Sequence, residues 1–187
     1  MREPVDADRL RRFMRELATR SRASGRVYLT GGSSAVLLDW RESTVDIDIT
    51  ILPEDDRVLR VIPELKEALH INVELASPAH FIPPLPGWEE RSPFIAREGT
   101  LSFHHYDFYS QCLSKIERGH RKDQRDVAAM LSSGLVEPRR LLVLFEQIQP
   151  ELFRYPAINP DTFRRAVLGV CAAEEHSGGS PEGALGN

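Results

Sequence analysis

"LTGGSSAVLLDWRESTVDIDIT", residues 29–50, opens on two glycines behind an apolar run and closes on two aspartates at alternate positions of another. The segments on either side of the glycines read as different elements. "GRVYLT" (25–30) is a short β-rich run ending at Gly31-Gly32, and "SSAVLLDW" (33–40) reads as a helix opening on serines. "VDIDITIL" (45–52) alternates as a half-exposed strand should, and Pro53 stops it. Side chains at i and i+2 of a strand share a face, so Asp46 and Asp48 project together, opposite Val45, Ile47 and Ile49. Aspartate is poorly suited to strands, and two adjacent carboxylates repel and raise each other's pKa. A hard divalent cation such as Mg²⁺ removes that penalty by taking carboxylate, phosphate and water oxygens. A solvated strand face that carries two acids is the plainer reading of the pair alone.

Outward from this stretch, residues 6–22 read as a helix with Asp6 as N-cap and Leu10, Phe13, Met14 and Leu17 at helical spacing. "EDDRVLRVIPELKEAL" (54–69) is helical, with Pro63 marking a break or a new first turn. "INVEL" (71–75) is a further strand, "PPLPGWEERSP" (83–93) a loop, and "FIAREGTLSFHHY" (94–106) a hairpin turning near Glu98-Gly99-Thr100. Helices follow over roughly 107–118, 122–132, 138–149 and 160–174. The expected fold is α+β: a mixed β-sheet flanked by helices over residues 1–106, a helical C-terminal region over 107–175, and a disordered Gly/Ser-rich tail over 176–187.

Composition sets the bounds. The chain has 187 residues, 41% of them hydrophobic and 28% charged, enough for an ordinary globular core. The formal net charge of −4 weighs against broad electrostatic binding to nucleic acid, and with it against a DNA-contacting role for the helical third. Cys112 and Cys171 both lie in apolar helical patterns and read as buried free thiols of a reducing compartment. The N-terminus "MREPVDADRLRRF" lacks an apolar signal core, and no apolar run approaches the roughly 20 residues of a membrane span. A cytoplasmic protein with no membrane partner is the expectation.

The glycines give the aspartates a context. Backbone N–H groups at a strand–helix turn form an anion site, to which Ser33 and Ser34 add hydroxyl donors. A phosphate-binding turn at Gly31, Gly32, Ser33 and Ser34 beside a carboxylate pair on the next strand is what a metal-dependent nucleotide-handling site requires.

At these residues the sequence resembles the nucleotidyltransferase superfamily, the polymerase-β-like fold. The match is Gly31-Gly32-Ser33, twelve residues from Ser34 to Val45, then Asp46-Ile47-Asp48. "WRESTVDID" is similar to the Arg-x-Ser/Thr-x-Asp-hydrophobic-Asp run of the minimal bacterial branch that includes AbiEii-type toxins, with one extra residue between Arg41 and Thr44. The resemblance covers residues 27 to about 131 and implies a third carboxylate, which "INVELAS" supplies as Glu74. It implies that Lys115 in "SKIERGHRKDQRDVAAML" serves the nucleotide phosphates, with Lys122-Asp123 and Asp126 as the later pair; a solvated charged helix is the plainer reading of that segment.

What the resemblance implies is an enzyme that moves a nucleoside monophosphate from an NTP to an RNA, protein or small-molecule hydroxyl. Asp46, Asp48 and Glu74 would hold Mg²⁺ or Mn²⁺. The branch adds tRNA or protein acceptors and a cognate antitoxin or toxin partner. The alternative is a nucleotidyltransferase fold that has lost turnover and serves as a binding module or antitoxin-like subunit. His104-His105 face opposite sides of a strand and read as structural, His120 as an exposed loop residue, and Trp88 as either core or lid.

Overall fold

The computed structural model describes residues 3–177. Five strands form one mixed sheet: β1 (Gly25–Thr30), β2 (Asp46–Leu52), β3 (Asn72–Leu75), β4 (Phe94–Glu98) and β5 (Leu101–His105), in the order β3-β2-β1-β5-β4. β1 runs antiparallel to β2 and parallel to β5; β2 and β3 are parallel, and β4 and β5 close as an antiparallel hairpin. The helices are α1 (Ala7–Ser21), α2 (Gly32–Leu37), α3 (Asp56–Ala68), α4 (Phe108–Arg118), α5 (Arg121–Ser132), α6 (Pro138–Ile148) and α7 (Pro160–Ser177). The α+β reading holds, with the helices of the C-terminal third packed on one another.

The alternation of β2 decides what each sheet face does. Ile47, Ile49 and Ile51 are buried, with Val27 and Leu29 of β1, Val73 of β3 and Leu101 and Phe103 of β5, against Leu10, Phe13, Met14 and Leu17 of α1 and Val58, Ile62 and Leu65 of α3. Burial of this apolar face fixes the register of β2, because a slip of one residue would carry the isoleucines to the other side. It thereby fixes the side on which Asp46 and Asp48 emerge. Asp6 caps α1 by accepting from the Arg9 N–H at 2.9 Å, as its sequence position implies.

A second apolar core joins α4, α5, α6 and α7, with Phe108, Leu113, Met130, Leu141, Phe145 and Val167 at its centre, and takes in Ile82 and Leu85 from the proline-rich loop. Cys112 and Cys171 are both buried in this core, and the Cys171 thiol donates to the Pro138 carbonyl at 3.4 Å. The two cores meet at the end of α2, where Leu37 packs on the sheet core while Leu38 and Trp40 pack on the helical one. α4 is anchored by Asp107, which is fully buried, caps the helix at Ser110 and receives a two-pronged ion pair from Arg91 at 3.1 and 3.0 Å.

The local expectations need four corrections. α2 stops at Leu37, short of Trp40. Asp39 adopts a left-handed conformation (φ 58°), so the Asp39 and Trp40 N–H groups turn back onto the carbonyls of Val36 and Ala35 and close the helix. α3 continues through Pro63, which neither breaks nor restarts it. Val45 is exposed, because β2 begins at Asp46 and Thr44 instead bridges to Val5. α7 runs through Ser177, so residues 176 and 177 of the expected tail are helical; the rest of the tail lies outside the described residues. Among the described residues, no helix is long and apolar enough to cross a membrane.

Candidate active site

The polar face of the sheet carries the carboxylates. Parallel pairing of β2 with β3 sets Asp48 beside Glu74 and Asp46 beside Asn72. The Asn72 amide lies between the acids and donates to Asp46 Oδ1 at 2.7 Å and to Glu74 Oε1 at 3.0 Å, so one nitrogen holds an oxygen of each. Asn72 was absent from the sequence expectations, although alternation had already placed it on the face of Glu74, two residues away.

Gly31 sits against this cluster. Its φ of 61° suits glycine, and a Cβ at this position would come within 2.9 Å of Asp48 Oδ2. The turn must therefore lack a side chain for the Asp48 carboxylate to lie where it does. Gly32 is equally constrained, since a Cβ there would run into the Thr44 hydroxyl. The Gly31 N–H is not left open: it donates to Gln111 Oε1 of α4 at 3.0 Å.

Burial, then the charge of Glu74, then that of Asp46, pushes the Asp48 carboxyl up to about 6; the positive charges of Arg118 and Lys115 oppose the rise without cancelling it. Those two cations come from α4 across a cavity of about 160 Å³, whose lining includes Gly31, Asp48, Glu74, Ser77, Lys115 and Arg118. Of the other residues singled out in the sequence, Asp46, Gly32, Ser33 and Ser34 are not in this lining. Ser34 faces inward, donating to the Leu29 carbonyl at 3.1 Å with His105 Nδ1 at 2.9 Å. Ser33 is fully buried and its hydroxyl has no partner.

The "SKIERGHRKDQRD" segment folds into a buried ion network. The Lys115 ammonium donates to Asp126 Oδ2 at 2.6 Å and to Asp123 Oδ1 at 3.2 Å. Arg41 clasps both oxygens of Asp126 at 2.7 Å, and Arg118 donates to Asp123 Oδ1 at 2.8 Å. Asp123 and Asp126 are buried, which rules out the solvated-helix reading for them, while Arg121, Lys122 and Arg125 on the same helix are exposed. Gly119 (φ 66°) ends α4 and turns the chain so that α5 can bring both aspartates back to Lys115. Arg41 ties the loop after α2 to the same point.

The histidines take no part in this cavity. His105 is buried, and desolvation followed by the charge of His104 lowers its pKa to about 4, so it stays neutral. Trp88 is a packing residue, stacked on Tyr106 with centroids 4.1 Å apart and edge-on to Tyr28.

Asp46, Asp48 and Glu74 are hard oxygen donors of the kind a divalent cation takes, and Asp48 carries a charge that its surroundings do not balance. Among the described residues, no group of three or more Asp, Glu, His or Cys side chains is positioned to hold a metal ion together. Asp46 and Glu74 are instead joined through the Asn72 amide, and Asp48 and Glu74 line the cavity.

No curated protein and no solved structure matches the chain. A family model does: described as a nucleotidyltransferase of unknown function (DUF6036), it matches residues 8–150, from α1 through α6, and takes in the glycine turn, all three carboxylates and the ion network. The chain belongs to this nucleotidyltransferase family.

Proposed function

We propose that the protein transfers a nucleoside monophosphate from an NTP to an acceptor hydroxyl, at the carboxylate face of the sheet. The observation that carries this reading is the setting of Asp48: packed against a glycine that leaves no room for a side chain, raised by burial and then by Glu74 and Asp46, and faced by Lys115 and Arg118 across one cavity. Asp46 and Asp48 would hold the divalent cation, Mg²⁺ or Mn²⁺, and Glu74 would complete the set or accept the proton of the attacking hydroxyl. The bound cation would neutralise triphosphate charge and make the acceptor hydroxyl easier to deprotonate. The acceptor oxygen forms a bond to the α-phosphorus, the bond from that phosphorus to the β-phosphate oxygen breaks, and pyrophosphate leaves.

Lys115 has one ammonium proton beyond the two that face Asp123 and Asp126, and this proton and its charge serve the leaving phosphates from the cavity wall. Gly31 and Gly32 shape the turn, and the buried Ser34 braces it from inside through the Leu29 carbonyl and His105. The acceptor is RNA, a protein or a small molecule; a toxin–antitoxin setting rests on the likeness of "WRESTVDID" to AbiEii-type enzymes.

The test is incubation with each α-labelled NTP and Mg²⁺, together with total RNA or a protein extract. Label should pass to one class of acceptor with the wild type and not with Asp48→Asn. A wild type that binds nucleotide but never transfers it would favour the non-catalytic binding module.

A further inference from the structure

Of the three cations in the buried network, Arg118 alone has a buried donor with no acceptor. Arg41 is occupied by both oxygens of Asp126, and Lys115 is held by two aspartates. Arg118 uses one terminal nitrogen on Asp123, while its Nε is buried without a partner. Its guanidinium carbon lies 4.7 Å over the centroid of Phe81, so the ring backs it from one side. Phe81 follows the 3₁₀ turn Pro78–His80 and is itself 37% exposed; it lines the same cavity as Arg118, Asp48, Glu74 and Ser77. With three cations set against Asp123 and Asp126, the network keeps one positive charge in excess. Across the cavity the sheet keeps an excess of negative charge. A ligand that satisfies both must present anionic oxygens to a planar guanidinium fork at one end and share a cation with carboxylates at the other, which describes a polyphosphate.

We propose that Arg118, braced by Phe81 and oriented by Asp123, grips the triphosphate of the incoming nucleotide. This rests on the nucleotidyl-transfer reading for the identity of the ligand. Arg118 is a binding residue and Phe81 a positioning residue.

The test titrates ATP, GTP, CTP, UTP and inorganic tripolyphosphate into the wild type, Arg118→Ala, Arg118→Lys and Phe81→Ala, each with Mn²⁺, alongside Mn²⁺ alone. Arg118→Ala should weaken the bound NTP and tripolyphosphate by at least tenfold each without weakening Mn²⁺ binding, since it removes a positive charge near Asp48. Arg118→Lys should recover part of the loss, because charge returns without the fork. Phe81→Ala should weaken tripolyphosphate several-fold in the same direction. Melting curves separate a lost grip from a lost fold, since Lys115 still pairs with Asp123 when Arg118 is removed. Arg118→Ala that stays folded and binds tripolyphosphate as the wild type does would overturn the proposal. If binding depends on Arg118 but no label is ever transferred, the grip stands and the transfer reading falls. A wild type that binds none of these probes refutes both.

Discussion

Two charged clusters face each other across one cavity, and they are balanced in opposite ways. On the α4–α5 side, Lys115, Arg41 and Arg118 surround Asp123 and Asp126, so each aspartate meets two cations and one positive charge is left over. On the sheet side, Asp46, Asp48 and Glu74 have only the neutral amide of Asn72 between them, and Asp48 is held well above the ordinary carboxylate range. The first arrangement supports the fold; the second opposes it unless something positive arrives. The acids that the fold leaves without a cation mark the proposed metal seat, and the two aspartates that it pairs hold Lys115 and Arg118 at the opposite wall of the cavity.

Breaking the balanced side should have the largest effect. Lys115→Met removes the cation that both buried aspartates share and leaves each with one arginine, and losing its two hydrogen bonds to charged groups, at about 1.5–3 kcal/mol each, should cost about 3–5 kcal/mol. Chemical denaturation should show a loss on that scale. A loss below about 1 kcal/mol, the range of exposed pairs, would mean that the network is far more hydrated than its burial indicates.

Relieving the unbalanced side should do the reverse. A carboxylate whose pKa is raised on folding binds more protons in the folded state, so it lowers stability as pH rises from its unfolded value near 4 through its folded value of about 6. Asp48→Asn removes that cost. It should stabilise the apo protein by about 1–3 kcal/mol at pH 8, several degrees in Tm, and the gain should vanish below pH 4. A gain independent of pH would detach it from the ionisation of Asp48.

Gly31→Ala sharpens the link between turn and carboxylate. A Cβ at a φ of 61° that would meet Asp48 Oδ2 at 2.9 Å should cost about 1–2 kcal/mol. In an Asp48→Gly background the steric part should disappear and only the backbone part remain. Smallest is Asn72→Ala, at about 0.5–1.5 kcal/mol in the absence of divalent cation, from two hydrogen bonds at a partly exposed position. A double-mutant cycle with Asp46→Asn would show whether the amide acts through that carboxylate.

Local chemistry explains how much of this was legible in the sequence. Strict alternation over 46–52 identified β2 and the shared face of Asp46 and Asp48, and Asp6 announced the start of α1, because both signals are contained within a few residues. Register between strands is not local, so the pairing of Asp48 with Glu74 and the bridging amide of Asn72 emerged only with the sheet assembled. Lys115 looked free because its partners lie on the next helix, beyond a glycine turn whose direction the sequence leaves open. Arg118 was not singled out, because in sequence nothing sets it apart from Arg121, Lys122 and Arg125 of the same charged segment; folding buries its Nε and leaves those three exposed. The shortened α2 came from Asp39 in a conformation usually taken by glycine.

The central claim is that the unbalanced carboxylates are a seat for a divalent cation, and Mn²⁺ titration followed by the loss of its free electron-spin resonance signal tests it most directly. The account predicts that the wild type binds Mn²⁺ at pH 8, that affinity falls as pH drops through about 6 and Asp48 takes up its proton, and that Asp48→Asn loses most of the affinity while remaining folded. A wild type without affinity at pH 8, or an Asp48→Asn variant that binds Mn²⁺ as tightly as the wild type, would contradict it.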